Sequence, residues 1–160
     1  MMTDRIEKSA LLRAPLDRVW RAISESDQFG TWFGMTVDGP FVAGETVTGV
    51  MTPTAVDDEV AAQQADFAGV TFPLHVVSVT PPRYFAFRWN PLSEPEFADL
   101  TTLVEFTLSE ADGGVLLEIV ESGFDALPES RRAAAFADNS GGWATQLRLI
   151  GQYLAAPQWA

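Results

Sequence analysis

Between about Pro128 and Leu154, the residues Phe136, Ser140, Trp143, Leu147, Ile150 and Leu154 recur at alternating steps of four and three. That spacing keeps them on one side of a helix, and all but Ser140 are apolar. Asp138, Gln146, Arg148 and Gln152 fall off the stripe and predict a solvated back face. Gly141 and Gly142 stand immediately before Trp143. A helix loses roughly 1 kcal/mol for each glycine relative to alanine, so the pair implies either a helix start or backbone closely approached by another group.

Upstream, the period changes from helical to two. Arg5 to Arg13 alternates loosely, with Ile6, Lys8, Ala10 and Leu12 on one face, and predicts a first strand. Ala14-Pro15 ends it, and Leu16, Val19, Trp20 and Ile23 follow at helical spacing to about Ser24. Ser26 and Asp27 can cap a second short helical turn carrying Phe29, Trp32 and Phe33, closed by Gly34. Thr36 to Val50 holds two short strands, broken by Asp38-Gly39-Pro40 and by Gly44. Further strands are expected over Leu74–Val79, Tyr84–Trp89, Thr102–Leu108 and Val115–Ser122, with turns at Pro81-Pro82 and Asp112-Gly113-Gly114. Phe85, Phe87 and Trp89 share a face of their strand, as Val104, Phe106 and Leu108 do of theirs, and Val115, Leu117 and Ile119 of the last. Two connections are long. Thr52–Thr71 is acidic and alanine-rich, with room for a helical turn near Val60–Gln64, and Asn90–Asp99 carries two prolines. Connections of such length are commonly functional or mobile, and both are expected to flank one end of a cavity.

The order is one strand, two short helices, a run of about six strands and one long helix. Hairpin links imply an antiparallel sheet, and such a sheet needs cover on one face. The expectation is an α+β fold in which a curved antiparallel sheet of six to seven strands wraps the helix around Ser130–Leu154, in one domain spanning residues 1–160.

Composition narrows the function classes. The 160 residues are 47% hydrophobic and carry a net charge of −12. An acidic surface repels phosphate backbones and anionic lipid, so nucleic acid and membranes are not expected partners. The absence of cysteine excludes disulfides, thiolate metal sites and a cysteine nucleophile. The start, Met1-Met2-Thr3-Asp4-Arg5, has no apolar run of the signal-peptide kind, and no stretch reaches the length of a membrane span. A cytoplasmic protein is the expectation.

The sequence resembles the START-like (SRPBCC) superfamily, in the branch homologous to the activator of the heat-shock-protein-90 ATPase. The residues that carry the resemblance are Ala14-Pro15, Val19-Trp20 and Ala22, then Trp32-Phe33-Gly34, Pro81 before Arg83, and Trp89. Glu121-Ser122-Gly123-Phe124 and Gly142-Trp143 with Leu147 complete the set, which covers nearly the whole chain. The resemblance implies a helix-grip fold with a cavity between sheet and long helix. It implies no single activity, since members range from lipid carriers to cyclases. A homodimer or a chaperone partner is compatible with it.

Candidate chemistry centres on Glu121, which continues the inward face of Leu117 and Ile119. A carboxylate on an apolar face could orient a ligand or act as an acid or base; alternatively it meets water, or pairs with Arg88 or Lys8. Trp32, Phe33, Trp89 and Trp143 are either cavity walls or plain core. The residues expected to touch a ligand are Trp32, Phe33, Phe87, Trp89, Glu121, Phe124, Trp143 and Leu147. His75, the only histidine, has no acidic neighbour at ligand spacing and reads as a sheet-face residue. Asp57-Asp58-Glu59 reads as a solvated acidic patch rather than a metal site, the glycine pairs lack a following P-loop lysine, and Ser122 lacks a G-x-S-x-G elbow. No metal and no cofactor is expected. The leading expectation is binding of a small hydrophobic or amphipathic molecule. A cyclase- or hydrolase-type enzyme on the same cavity, or a co-chaperone-like interaction module, is the alternative.

Overall fold

The computed structural model describes residues 4–159, and side chains through residue 158. Seven strands form one sheet: β1 (Arg5–Leu12), β2 (Met35–Val37), β3 (Thr46–Met51), β4 (Thr71–Thr80), β5 (Tyr84–Trp89), β6 (Thr102–Ala111) and β7 (Gly114–Ser122). Their order is β1-β7-β6-β5-β4-β3-β2, and every neighbouring pair is antiparallel. Between β1 and β2 come two short helices, α1 (Leu16–Ser24) and α2 (Ser26–Phe33). Helix α3 (Asp58–Gln64) interrupts the β3–β4 connection, and α4 (Glu129–Ala155) closes the chain. This is an α+β helix-grip fold.

Alternation sorts the strands as the period of two requires. Phe85 and Phe87 of β5, Val104, Phe106 and Leu108 of β6, and Val115, Leu117 and Ile119 of β7 are all buried on the concave face. Cross-strand pairing sets Phe85 opposite Phe106 and Phe106 opposite Ile119. Helix α2 supplies Phe29, Trp32 and Phe33 to the same core and ends at Gly34, whose φ of 103° lies in the left-handed region open to glycine.

Helix α4 departs from its apolar stripe. Its buried residues are Ala135, Trp143, Leu149, Ile150 and Tyr153, while Phe136, Leu147 and Leu154 are only partly buried at its flank. The inward face thus includes two polar residues, Asn139 and Gln146. Gln146 belongs to the expected back face but donates to the Phe33 carbonyl at 3.1 Å. Gln152, also expected in solvent, donates to Asp57 at 3.1 Å. The helix runs unbroken through Gly141 and Gly142, and a Cβ at either would meet nothing within 4 Å. Neither a helix start nor a close approach explains the pair.

The Thr52–Thr71 segment is more ordered than a loop. Asp57 caps α3 by accepting from the Val60 amide at 3.0 Å, and Val60 is buried. Asp57 is therefore not part of a solvated patch. Gln64 of α3 donates to the Phe33 carbonyl at 3.1 Å and accepts from the Thr54 amide at 2.7 Å, which ties the segment to the end of α2. Among the described residues, no helix is long and apolar enough to cross a membrane.

Candidate ligand-binding site

Trp89 ends β5 and Trp143 stands midway along α4, so the grip of sheet on helix brings two indoles together. They stack with centroids 5.5 Å apart and planes inclined by 30°. Phe33 meets both edge-on, 6.1 Å from Trp89 and 6.0 Å from Trp143. Phe72 of β4 lies 6.4 Å from Trp89. Offset and edge-to-face geometries of this kind contribute about 0.5–1.5 kcal/mol per pair beyond area burial.

These aromatics form one side of a cavity of about 580 Å³. Its other walls are Met51, Val70, Thr71 and Pro73 from the β3–β4 side, and Asn90, Pro91, Leu92, Ser93, Glu94, Pro95 and Ala98 from the β5–β6 connection. Helix α4 contributes Asp138, Asn139, Gly142, Trp143 and Gln146. The connection is shaped by Asn90, whose amide donates to the carbonyls of Ala98 at 2.8 Å and Leu100 at 3.0 Å. It is tied to α4 by Glu94, which pairs with Arg131 at 2.9 Å. The hydrogen bond from Arg131 is the main cause holding the Glu94 carboxyl below the usual range.

Glu121 lies directly behind the aromatic wall and is fully buried. Its carboxylate accepts from Trp89 Nε1 at 2.8 Å, Trp143 Nε1 at 2.9 Å, Thr102 Oγ1 at 2.5 Å and Asn139 Nδ2 at 3.0 and 3.1 Å. Every partner is a donor, as a group that only accepts requires. Each is also neutral. Neither alternative cation reaches in: Arg88 donates to Thr101, and Lys8 sits opposite Ile119 at the edge of the sheet. Strand register explains the geometry. Thr102 is directly opposite Trp89, and Glu121 is opposite Val104, two residues further along the same face. Glu121 thus fixes both indoles and Asn139 from behind rather than touching the cavity.

Of the eight residues expected at a ligand, Phe33, Trp89 and Trp143 line the cavity. Trp32, Phe87, Glu121, Phe124 and Leu147 do not. Trp32 is buried between α1 and α2, where Nε1 donates to the Ala22 carbonyl at 2.9 Å. Phe87 is core beside Phe106. Phe124 packs on Phe136, 5.3 Å between centroids, under the first part of α4. Leu147 packs against the core from the helix flank. The sequence reading missed Asn139 and Gln146, although steps of four and three from Trp143 place them on its face. His75 bonds Thr46 Oγ1 at 2.9 Å, away from the cavity. Among the described residues, no group of three or more His, Asp or Glu side chains is placed to hold a metal ion.

The family described as "Activator of Hsp90 ATPase homolog 1-like protein" matches residues 13–155. No curated protein matches the chain. Among solved structures, protein Ms6760 from Mycobacterium smegmatis is 21% identical, with a TM-score of 0.72 over 96% of this chain and 92% of that one. The Aha1 dimer from Colwellia psychrerythraea is 15% identical, with a TM-score of 0.66 over 94% of this chain and 95% of that one. DynU16, a protein of the dynemicin biosynthetic locus, is 21% identical with a TM-score of 0.68. The match covers 96% of this chain but 48% of DynU16, so this chain spans about half of that protein's length. At these identities the structural likeness shows the fold, and the family match adds the branch. The chain belongs to the activator of Hsp90 ATPase homolog 1-like family, within the START-like superfamily whose helix-grip fold it adopts.

Proposed function

We propose that the protein binds a small hydrophobic or amphipathic molecule in the cavity between the sheet and α4. The observation that carries this reading is the wall of Phe33, Trp89 and Trp143, held open from behind by Glu121. Both indole N–H groups are already satisfied by buried carboxylate oxygens, so the rings present apolar faces to the cavity and cannot turn without leaving donors unpaired. A volume of about 580 Å³ lies within the usual range for small-molecule sites. The lining side chains that ionise are Glu94 and Asp138. Glu94 is already engaged by Arg131.

The test is mass spectrometry of small molecules extracted from the purified native protein, joined to thermal stability across a panel of apolar compounds. A ligand at a hundred times its dissociation constant adds about 2.7 kcal/mol of stability. A protein that carries nothing and is stabilised by no member of a broad panel would overturn the reading.

The family description favours a second reading, a co-chaperone-like interaction module. The Colwellia relative described as a dimer also makes self-association worth measuring. Co-purification with an Hsp90-type chaperone, and molar mass by light scattering, test these directly.

A further inference from the structure

Resting on the cavity being a ligand site, we propose that it selects molecules whose polar end donates hydrogen bonds, an amine or a hydroxyl, and rejects carboxylates, sulfates and phosphates. The inference comes from which polar atoms the protein has already used. Trp89 Nε1 and Trp143 Nε1 both donate to Glu121. The Asn139 amide nitrogen donates to both oxygens of the same carboxylate. The Asn90 amide nitrogen donates to two backbone carbonyls. The Gln146 amide nitrogen donates to the Phe33 carbonyl. Carboxylates and carbonyls only accept, so the orientation of all three amides is fixed by their partners. In each, the atom left over is an oxygen.

Two acceptors on residues that line the cavity are buried with no partner: Gln146 Oε1 on α4 and Glu94 Oε2 on the β5–β6 connection. Buried polar atoms are normally satisfied, so each is an acceptor for which the protein supplies no donor. The hydroxyls of Thr71 and Ser93 can serve either way. Among the described residues, no lysine, arginine or histidine lines the cavity, whereas Asp138 and Glu94, the latter paired with Arg131, do. An anion would therefore meet lone pairs and like charge, and a hydroxyl or ammonium would meet acceptors. The apolar body of the ligand would lie against Phe33, Trp89 and Trp143.

The experiment holds the apolar body constant and changes the polar end. Binding of 2-naphthylmethylamine, 2-naphthylmethanol, 2-methylnaphthalene and 2-naphthoate is measured by isothermal titration calorimetry with the full chain. The amine and alcohol are expected to bind at least about tenfold more tightly than the methyl compound, and the carboxylate more weakly than all three. Gln146→Met and Glu94→Gln should each reduce the advantage of amine and alcohol over the methyl compound. The Phe33 carbonyl keeps its bond from Gln64 in Gln146→Met, so that variant should fold. Equal binding of all four, or tightest binding by the carboxylate, overturns the donor rule while leaving the cavity a binding site. Failure of all four, together with a native protein that carries nothing and is stabilised by no member of the broad panel, overturns the binding reading itself and the donor rule with it.

Discussion

Glu121 shows how one buried carboxylate can organise a wall. Glutamine in its place keeps the shape but turns one acceptor oxygen into a donor nitrogen facing indole, hydroxyl and amide N–H groups. The Thr102 hydroxyl can rotate to accept, but the indoles cannot. At least one buried donor is stranded, at about 1–3 kcal/mol for each such group. Glu121→Gln is therefore expected to destabilise the fold by about 3 kcal/mol in urea denaturation; a loss below about 1 kcal/mol would show that the network is dispensable. Trp143→Ala removes both a packed indole and a donor to Glu121, and should cost about 3–5 kcal/mol. Trp143→Phe keeps most of the packing, and should cost distinctly less by the same measurement. The alternation of Leu117, Ile119 and Glu121 made the inward carboxylate legible in the sequence, because a period of two is a local property. Its partners were not legible. Trp89, Thr102 and Asn139 lie 32, 19 and 18 positions away, and the register of two strands and the rotation of a helix bring them together.

At the scale of elements, strands were read more closely than helix faces. Tyr84–Trp89 has the same bounds in sequence and structure, because turns punctuate it and its own alternation sorts it. In α4, the apolar stripe and the buried face diverge because two positions facing inward are polar for specific reasons: Asn139 serves Glu121 and Gln146 serves Phe33. Hydrophobic periodicity registers such positions as gaps. The glycine pair likewise had no packing cause to find. Gly142 lines the cavity and Gly141 does not, yet neither has a neighbour within 4 Å of its missing Cβ. Gly141→Ala should raise stability by about 0.5–1 kcal/mol through helix propensity and a less flexible unfolded chain. Gly142→Leu should keep the fold but place a side chain in the cavity, abolishing binding of 2-methylnaphthalene, whereas Gly141→Leu should retain it. Equal affinity in the two leucine variants would separate Gly142 from the site.

Across the whole molecule, the two long connections are both anchored to α4 through carboxylates. Asp57 joins the Thr52–Thr71 segment to Gln152 and, at 3.8 Å, to Arg148; Glu94 joins the β5–β6 connection to Arg131. Both carboxyls are held below the usual range: Asp57 first by the Val60 amide and then by Gln152, and Glu94 first by Arg131. A carboxyl whose value is lowered by folding adds stability that is fully present above its unfolded value and is lost as pH falls through the folded one. Ordinary carboxyl values put the onset below about pH 5. An opposing effect comes from the net charge of −12, since protonating other carboxylates relieves self-repulsion over the same range. The total slope of stability against pH thus mixes two signs, and only a difference between variants isolates the anchors. Asp57→Asn and Glu94→Gln should each be less stable than wild type at pH 7, with the gap narrowing as pH falls below about 5 in chemical denaturation. Hydrogen exchange should quicken first in the two connections, before β6. A gap that stays constant with pH would show that these carboxylates contribute shape alone and that the two connections do not depend on their charge.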